Sequence, residues 1–351
     1  MEKIKNENTK KYIIPAIAVI FSLGSLYLNI FGTMPGMVLR SIHLMFASVL
    51  CFTLWPVSNS ISTKGNSIIN NLITGLLITG SLVAGIYIAI KSQNLEAIEL
   101  SLGVPNSLDK VMAVIMIVVV LEMARRTVGL GITLVTVFFI LYTYLGSYIP
   151  GYFGHRSPSI GRMLSTYYLS FGGIFGFTLG LSATFVFLFV LFASFIQHSY
   201  ATKFLMDMAF GLTKRLRGGP AQAAVVSSAF MGSLSGAATA NVVGTGSITI
   251  PLMKKTGFKP HVAAAIEAAA STGGGITPPM LGAAAFIIAE WLSIPYIEIV
   301  KISIVPAILY FASVGAFIHF RSIKLDIKVE PPMIKNRQIM KDGIHFVVPV
   351  F

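Results

Sequence analysis

The chain has 351 residues, of which 55% are hydrophobic and 11% charged, and its mean hydropathy is +0.80. So much apolar surface exceeds what one water-soluble core can hide, which excludes a soluble fold. The net charge of +13 does not point to nucleic acid, because 20 of the 26 Lys and Arg residues fall on one side of a series of apolar segments, a topology signal rather than a polyanion-binding patch. Cys51 is the only cysteine, so no disulfide or CxxC site forms within the chain.

MEKIKNENTKK precedes an apolar run that is too long for a signal peptide and lacks an A-x-A cleavage site, so it reads as an uncleaved first span. Six stretches are long enough to cross a hydrocarbon layer of about 30 Å: Tyr12 to Phe31, Met37 to Trp55, Ile68 to Ile90, Thr127 to Ser147, Ile174 to Phe195 and Ile297 to Phe320. Val111 to Met123 is a shorter, marginal one. The positive-inside rule then puts the amino terminus in the cytoplasm, on the same side as Arg125, Arg126, Lys254 and Lys255. His43 and Trp55 are expected near span ends, where amphipathic rings sit at the interface. Glu96 and Glu99, in the loop LEAIELSLGVPNSLDK, read as a solvated face.

After EMARRT the composition turns rich in Gly, Ala, Ser and Thr. This change sets an expected boundary, with a four-span scaffold over 1–125 and a second domain over 126–342. YATKFLMDMAFGLTKRLRGGP has apolar residues at helical spacing, namely Phe204, Leu205, Met208, Leu212 and Leu216, and predicts an amphipathic interfacial helix. Basic residues flank Pro220 to Met253 on both sides, so the segment is expected to enter and leave by one face as a re-entrant hairpin. A first limb from Ala221 to Leu234 would rise about 21 Å, placing SGAATANVVGTG at or near the tip. HVAAAIEAAASTGGGITPPMLGAAAFIIAEW is too long for one straight span, and STGGGITPP must break it, since Gly costs about 1 and Pro about 3 kcal/mol in a helix. The expected fold class is therefore all-α, a polytopic membrane protein with a re-entrant hairpin and a broken helix.

Irregular backbone at membrane depth survives only where protein, water or an ion satisfies it. The carbonyls freed in these two segments, with the side-chain oxygens of Ser235, Thr239, Asn241, Thr245 and Ser247 in one and of Ser271, Thr272 and Thr277 in the other, suit a hard cation such as Na⁺, and half-helix amino termini favour an anionic substrate group. Gly232 and Gly236 also form GxxxG, which serves helix packing alone. Glu267 is the carboxylate well inside a predicted helix and a candidate gating or coupling residue, although its nearness to Lys259 also allows an interfacial position. The chain carries no HExxH or phosphate-loop motif, so a resident cofactor and an enzyme are not expected. An intramembrane enzyme using Glu267 and His261 and a non-transporting scaffold fragment are the other readings.

Three long stretches, GIFGFTLGLSATFVFLFVLFASF, RGGPAQAAVVSSAFMGSLSGAATANVVGTGSITIPLMKKTGF and EAAASTGGGITPPMLGAAAFIIAEWLSIPY, resemble the permease of tripartite ATP-independent periplasmic (TRAP) transporters, in the fused form where a four-helix small subunit precedes the large one. The resemblance covers roughly 120–321. It implies an elevator-type symporter of the bacterial inner membrane, driven by Na⁺ as coupling ion and fed by a periplasmic substrate-binding protein, importing organic acids or other carboxylate solutes. By position it implies a sodium site from Ser235, Asn241, Gly273, Gly274, Ile276, Thr277 and Pro278, largely through backbone carbonyls. Gly172 stands where fused permeases of the family it resembles often carry an acidic residue. DGIHFVVPVF resembles the opening of a second inverted repeat, so 343–351 is expected to start a missing half.

Overall fold

A computed structural model describes residues 2–32, 34–55, 64–94, 105–199 and 201–327. Among these the regular elements are all helical. Six helical stretches are long and apolar enough to cross a membrane: Tyr12–Phe31, Gly36–Leu54, Asn70–Lys91, Leu130–Tyr148, Phe177–Ile196 and Tyr296–Lys324. Each coincides with a span expected from the sequence. Large apolar side chains such as Leu134, Phe138, Phe139, Ile302, Val305 and Leu309 stay uncovered by protein along them. Apolar surface of that extent needs an apolar solvent, and the chain is a multi-pass membrane protein.

Packing divides the chain into two compact units, Met1–Phe187 and Leu188–Phe351. The first holds α1 (Glu2–Phe31), α2 (Gly36–Leu54), α3 (Lys64–Lys91), α4 (Ser107–Thr127), α5 (Leu130–Leu145), α6 (Ile160–Leu169) and α7 (Phe177–Leu181). A π-helical turn at Ser182–Val186 links α7 to α8 (Phe187–His198), within which the units divide. The marginal stretch Val111 to Met123 lies in α4, which is 21 residues long. Glu96 and Glu99, and the expected start of a second repeat at 343–351, lie outside the described residues.

The first unit's core joins α2, α3, α4 and α6 through Leu44, Phe52, Ala84, Ile88, Met116, Val119 and Tyr168. Buried hydroxyls find partners across it: Ser48 Oγ meets Ser81 Oγ at 2.5 Å, and Tyr168 donates to the Ala84 carbonyl at 2.6 Å. Trp55 is half exposed at the end of α2, as expected of an interfacial ring. His43 is not at a span end. It is buried in the body of α2, with Nε2 3.1 Å from Ser182 Oγ and its ring against Phe21 and Phe187. Three aromatic and hydroxyl neighbours from distant parts of the chain make that pocket, and linear spacing does not display them.

Where α3 ends and α4 begins, Asn106 caps α4 through a reciprocal box with Asp109. Asp109 also accepts from Lys91 at 2.5 Å and Tyr87 at 2.8 Å. Burial pushes the Asp109 carboxyl up, but hydrogen bonds from Lys91, Tyr87 and the Asn106 N–H outweigh it and hold the group below the usual carboxylate range. A lowered folded-state value means the contribution is complete above the ordinary range and is lost as pH falls through the lowered one. Asp109→Ala is expected to cost about 3 kcal/mol by stranding Lys91, read as a lower melting temperature in detergent, and the gap from wild type should close as the medium is acidified.

Candidate functional site

The second unit is built around a helical hairpin and a broken helix. In chain order its elements are α9 (Ala201–Thr213), α10 (Gly219–Ser235), α11 (Ala238–Lys255), α12 (Pro260–Thr272), a 3₁₀ turn at Gly273–Ile276, α13 (Ala283–Trp291) and α14 (Tyr296–Lys324). Phe204 and Leu205 of α9 are buried as the periodicity predicts, but Leu212 and Leu216 are exposed, and the helix stops at Thr213 before Leu216.

The hairpin is α10 and α11 joined by two residues, Gly236 and Ala237. Gly236 adopts φ 59°, the left-handed conformation that favours glycine, and its N–H closes α10 on the Gly232 carbonyl at 2.8 Å. The tip falls within SGAATANVVGTG as expected, but most of that stretch, from Ala238 onward, is helix rather than unwound chain. Its small residues therefore serve close approach more than irregular backbone.

The break in the second element follows from its prolines. Pro278 and Pro279 have no N–H to give the Gly274 and Gly275 carbonyls four residues back. Those carbonyls accept instead from Thr277 N at 3.3 Å and Gly282 N at 2.7 Å. Thr277 Oγ1 also donates to the Gly273 carbonyl at 2.6 Å. The hairpin tip packs on this segment: Met280 N donates to the Ser233 carbonyl at 3.2 Å, and a Cβ on Gly236 would come within 3.0 Å of the Met280 and Leu281 carbonyl oxygens. Tyr296 of α14 ties the far side down, donating to Pro279 O at 3.0 Å and accepting from Leu281 N at 3.1 Å.

The two elements touch backbone to backbone at Gly232 and Gly274, where a Cβ added to Gly274 would lie 2.7 Å from Gly232 Cα. The Asn241 amide stands over this contact and is 1% exposed. Its Nδ2 donates to the Ser228 carbonyl at 2.8 Å. Only an NH₂ can donate to a carbonyl, which fixes the orientation and leaves Oδ1 as a buried oxygen without a partner. An orphan of this kind costs about 1–3 kcal/mol unless something fills its lone pairs.

Among the sequence-predicted residues, Ser235, Asn241, Gly273, Gly274 and Thr277 thus converge where the tip meets the break. Pro278 lies half-buried in the same segment, whereas the Ile276 side chain is exposed, so that residue could offer only its backbone. The carboxyl ends of α10 and α12 and the amino ends of α11 and α13 gather here, placing partial negative and partial positive charge side by side.

Glu267 is fully buried in α12, and Thr245, Thr249, Ser271 and Ser228 surround it. His261, in the same helix, is exposed, so the pair does not come together as an enzyme site would need. The hydroxyl cage is what residue order hid, since Thr245, Thr249 and Ser228 stand 18 to 39 positions from Glu267. The i, i+4 spacing of Thr245 and Thr249 was the available signal. No group of three or more His, Cys, Asp or Glu side chains that could hold a metal ion occurs among the described residues.

Residues 115–351 match the family described as the tripartite ATP-independent periplasmic transporter, DctM component. The chain belongs to this family. It is 33% identical over 135 residues to an uncharacterized protein, y4mL, of Sinorhizobium fredii, covering 38% of this chain and 32% of that protein. It is 32% identical over 127 residues to a C4-dicarboxylate TRAP transporter large permease protein, DctM, of Vibrio cholerae, covering 36% of this chain and 27% of the relative. The matched stretch thus spans about a third or less of these relatives' lengths. No solved structure matches the chain.

Gly232 sits inside α10, where alanine would ordinarily favour the helix by about 1 kcal/mol. Overpacking against Gly274 opposes that gain by about 1–3 kcal/mol. Gly232→Ala and Gly274→Ala are therefore both expected to lower the melting temperature of the reconstituted chain, and a Gly232→Ala protein more stable than wild type would contradict the backbone contact.

Proposed function

We propose that this chain is the membrane permease component of a Na⁺-coupled secondary symporter that imports carboxylate-bearing organic solutes across the bacterial inner membrane. A periplasmic substrate-binding protein delivers the solute, and the amino terminus faces the cytoplasm. In this reading residues 1–125 are a small-subunit-like scaffold and 126–342 the first repeat of the transport domain. The protein moves its substrate without making or breaking covalent bonds.

The observation that carries the proposal is the orphaned, buried Oδ1 of the Asn241 amide, whose Nδ2 stands beside the Gly232 and Gly274 contact. A hard monovalent cation takes oxygen ligands, and a carbonyl-type oxygen already desolvated and without a partner is a suitable one. Ser235 Oγ, Thr277 Oγ1 and the carbonyls of Gly273, Gly274, Ile276 and Pro278 are the other candidate oxygens for the ion. The carboxyl ends of α10 and α12 favour the cation, while the amino ends of α11 and α13 favour an anionic group on the solute. The positively charged flanks of the hairpin support the cytoplasmic assignment of its base. The printed name of the Vibrio cholerae relative, a C4-dicarboxylate permease, supports a carboxylate as substrate class.

Sodium that binds only the folded protein raises its stability by mass action. Thermal unfolding of the full chain in lipid nanodiscs is expected to shift upward with NaCl but not with choline chloride at equal ionic strength. Asn241→Ala should weaken the apparent sodium affinity about tenfold or more, the effect of losing a charge-assisted contact. Equal stabilisation of wild type and Asn241→Ala by sodium would overturn the assignment of the ion to this amide.

A further inference from the structure

Glu267 sits at 0% exposure among α10, α11 and α12 with no cation beside it. Its neighbours are hydroxyls. Oε1 accepts from Thr245, from Ser271 at 3.2 Å and, at a long 3.4 Å, from Ser228; Oε2 accepts from Thr249. Gly246 makes room for the stem, since a Cβ there would stand 3.0 Å from Glu267 Cγ. The charged and titratable groups of the surrounding elements keep away. Among described residues, α10 has none, and Lys254 and Lys255 are exposed at the far end of α11. His261 of α12 is exposed. On α14, Tyr310 donates to the Ala269 carbonyl at 2.7 Å, while Glu298 and Lys301 at one end pair with each other, and His319, Arg321 and Lys324 occupy the other.

The count of hydrogens decides what such a site can do. Thr249 Oγ1 lies between Glu267 Oε2 and the Thr245 carbonyl, the latter at 3.1 Å. Thr245 Oγ1 lies between Glu267 Oε1 and the Asn241 carbonyl, the latter at 2.8 Å. Each threonine has one hydrogen and two acceptors for it. With Glu267 ionised, both hydrogens point at the carboxylate. With a proton on Oε2, the new O–H donates to Thr249 Oγ1, and the threonine turns its own hydrogen to the Thr245 carbonyl. Neither state leaves a buried polar atom without a partner, so the cage accepts either by rotating a hydroxyl. A carboxylate held as a fixed counter-charge would instead be paired with a Lys or Arg.

We propose that Glu267 takes up and releases one proton in the working cycle, and that this proton is linked to the ion site at Asn241. The proton comes from and returns to the aqueous phase, and the bond made and broken is the carboxyl O–H. The link runs along two short paths: Thr245 Oγ1 touches both Glu267 and the Asn241 carbonyl, and Ser228 touches Glu267 while its carbonyl holds Asn241 Nδ2. Ionisation of Glu267 adds negative charge two hydrogen-bond steps from the Asn241 amide, whose oxygen is the ion ligand in the sodium reading. Proton and sodium therefore compete. The link rests on the sodium reading above, whereas the proton exchange rests on the cage alone.

Infrared difference spectroscopy of the full chain in lipid vesicles tests both parts. Titration with pH should show one protonated-carboxyl C=O band that disappears on ionisation and is absent from Glu267→Gln. Thr249→Val, which removes the hydroxyl that both forms use, should keep the band. Sodium should move the wild-type midpoint to lower pH, by about one unit for a tenfold linkage, and protonation should weaken sodium binding by the same factor. An identical titration in Glu267→Gln, or a wild-type spectrum with no titrating carboxyl, overturns the proposal. A Glu267 band that titrates but ignores sodium, in a protein that sodium still stabilises against heat, overturns the link alone. Absence of any sodium effect on melting strikes the sodium reading and leaves the proton to be judged by the band.

Discussion

The second unit depends on one constraint: backbone and amide groups that leave a helix inside an apolar surrounding must find a partner close by. Two prolines strip the helical donors from the Gly274 and Gly275 carbonyls, and Thr277 and Gly282 replace them. The hairpin tip then closes over the break through Ser233, Gly236 and Met280. That closure is possible only because Gly232 and Gly274 let two backbones meet without side chains between them. Asn241 is held above this contact and keeps one oxygen unspent.

The two units answer the demand for satisfied polar groups differently. In the first, charge is kept to the helix ends, where Asp109 has Lys91 and Glu122 is bound by Arg125 and Arg126 at 2.7 and 2.8 Å. Among the interior hydroxyls there, Ser48 meets Ser81 and the Met45 carbonyl. In the second, a carboxyl group lies inside the bundle and is served by hydroxyls from three helices. A cation partner would hold that carboxyl in one state, and a ring of rotatable donors leaves it two.

Much of the fold was legible because its signals are local. A span needs about 20 apolar residues in a row, and a break needs Gly and Pro together, so both are written in consecutive letters. The six spans and the interruption at STGGGITPP were visible for that reason. The unwound extent of SGAATANVVGTG was less legible, since Gly and Thr are compatible with helix when neighbours pack closely, and from Ala238 the chain is helical. His43 was misplaced for a related reason: its pocket of Phe21, Phe187 and Ser182 is assembled from two segments far from it in the chain.

At the site, residue type alone put forward Ser235, Asn241, Thr277 and the glycines as candidates and marked Glu267 as an acid inside a helix; the structure shows the close approach at Gly232 and Gly274 and the burial of Glu267. Composition and order thus determined the membrane class, the spans, the hairpin and the break, because each follows from interactions within a few turns of chain. Only the tertiary structure decided that Asn241 has an oxygen with no partner and that four hydroxyls converge on Glu267. Those facts are made by residues as far as 43 positions apart, such as Ser228 and Ser271, meeting across three helices, and hydrogen-bond satisfaction is a property of that meeting rather than of any one segment.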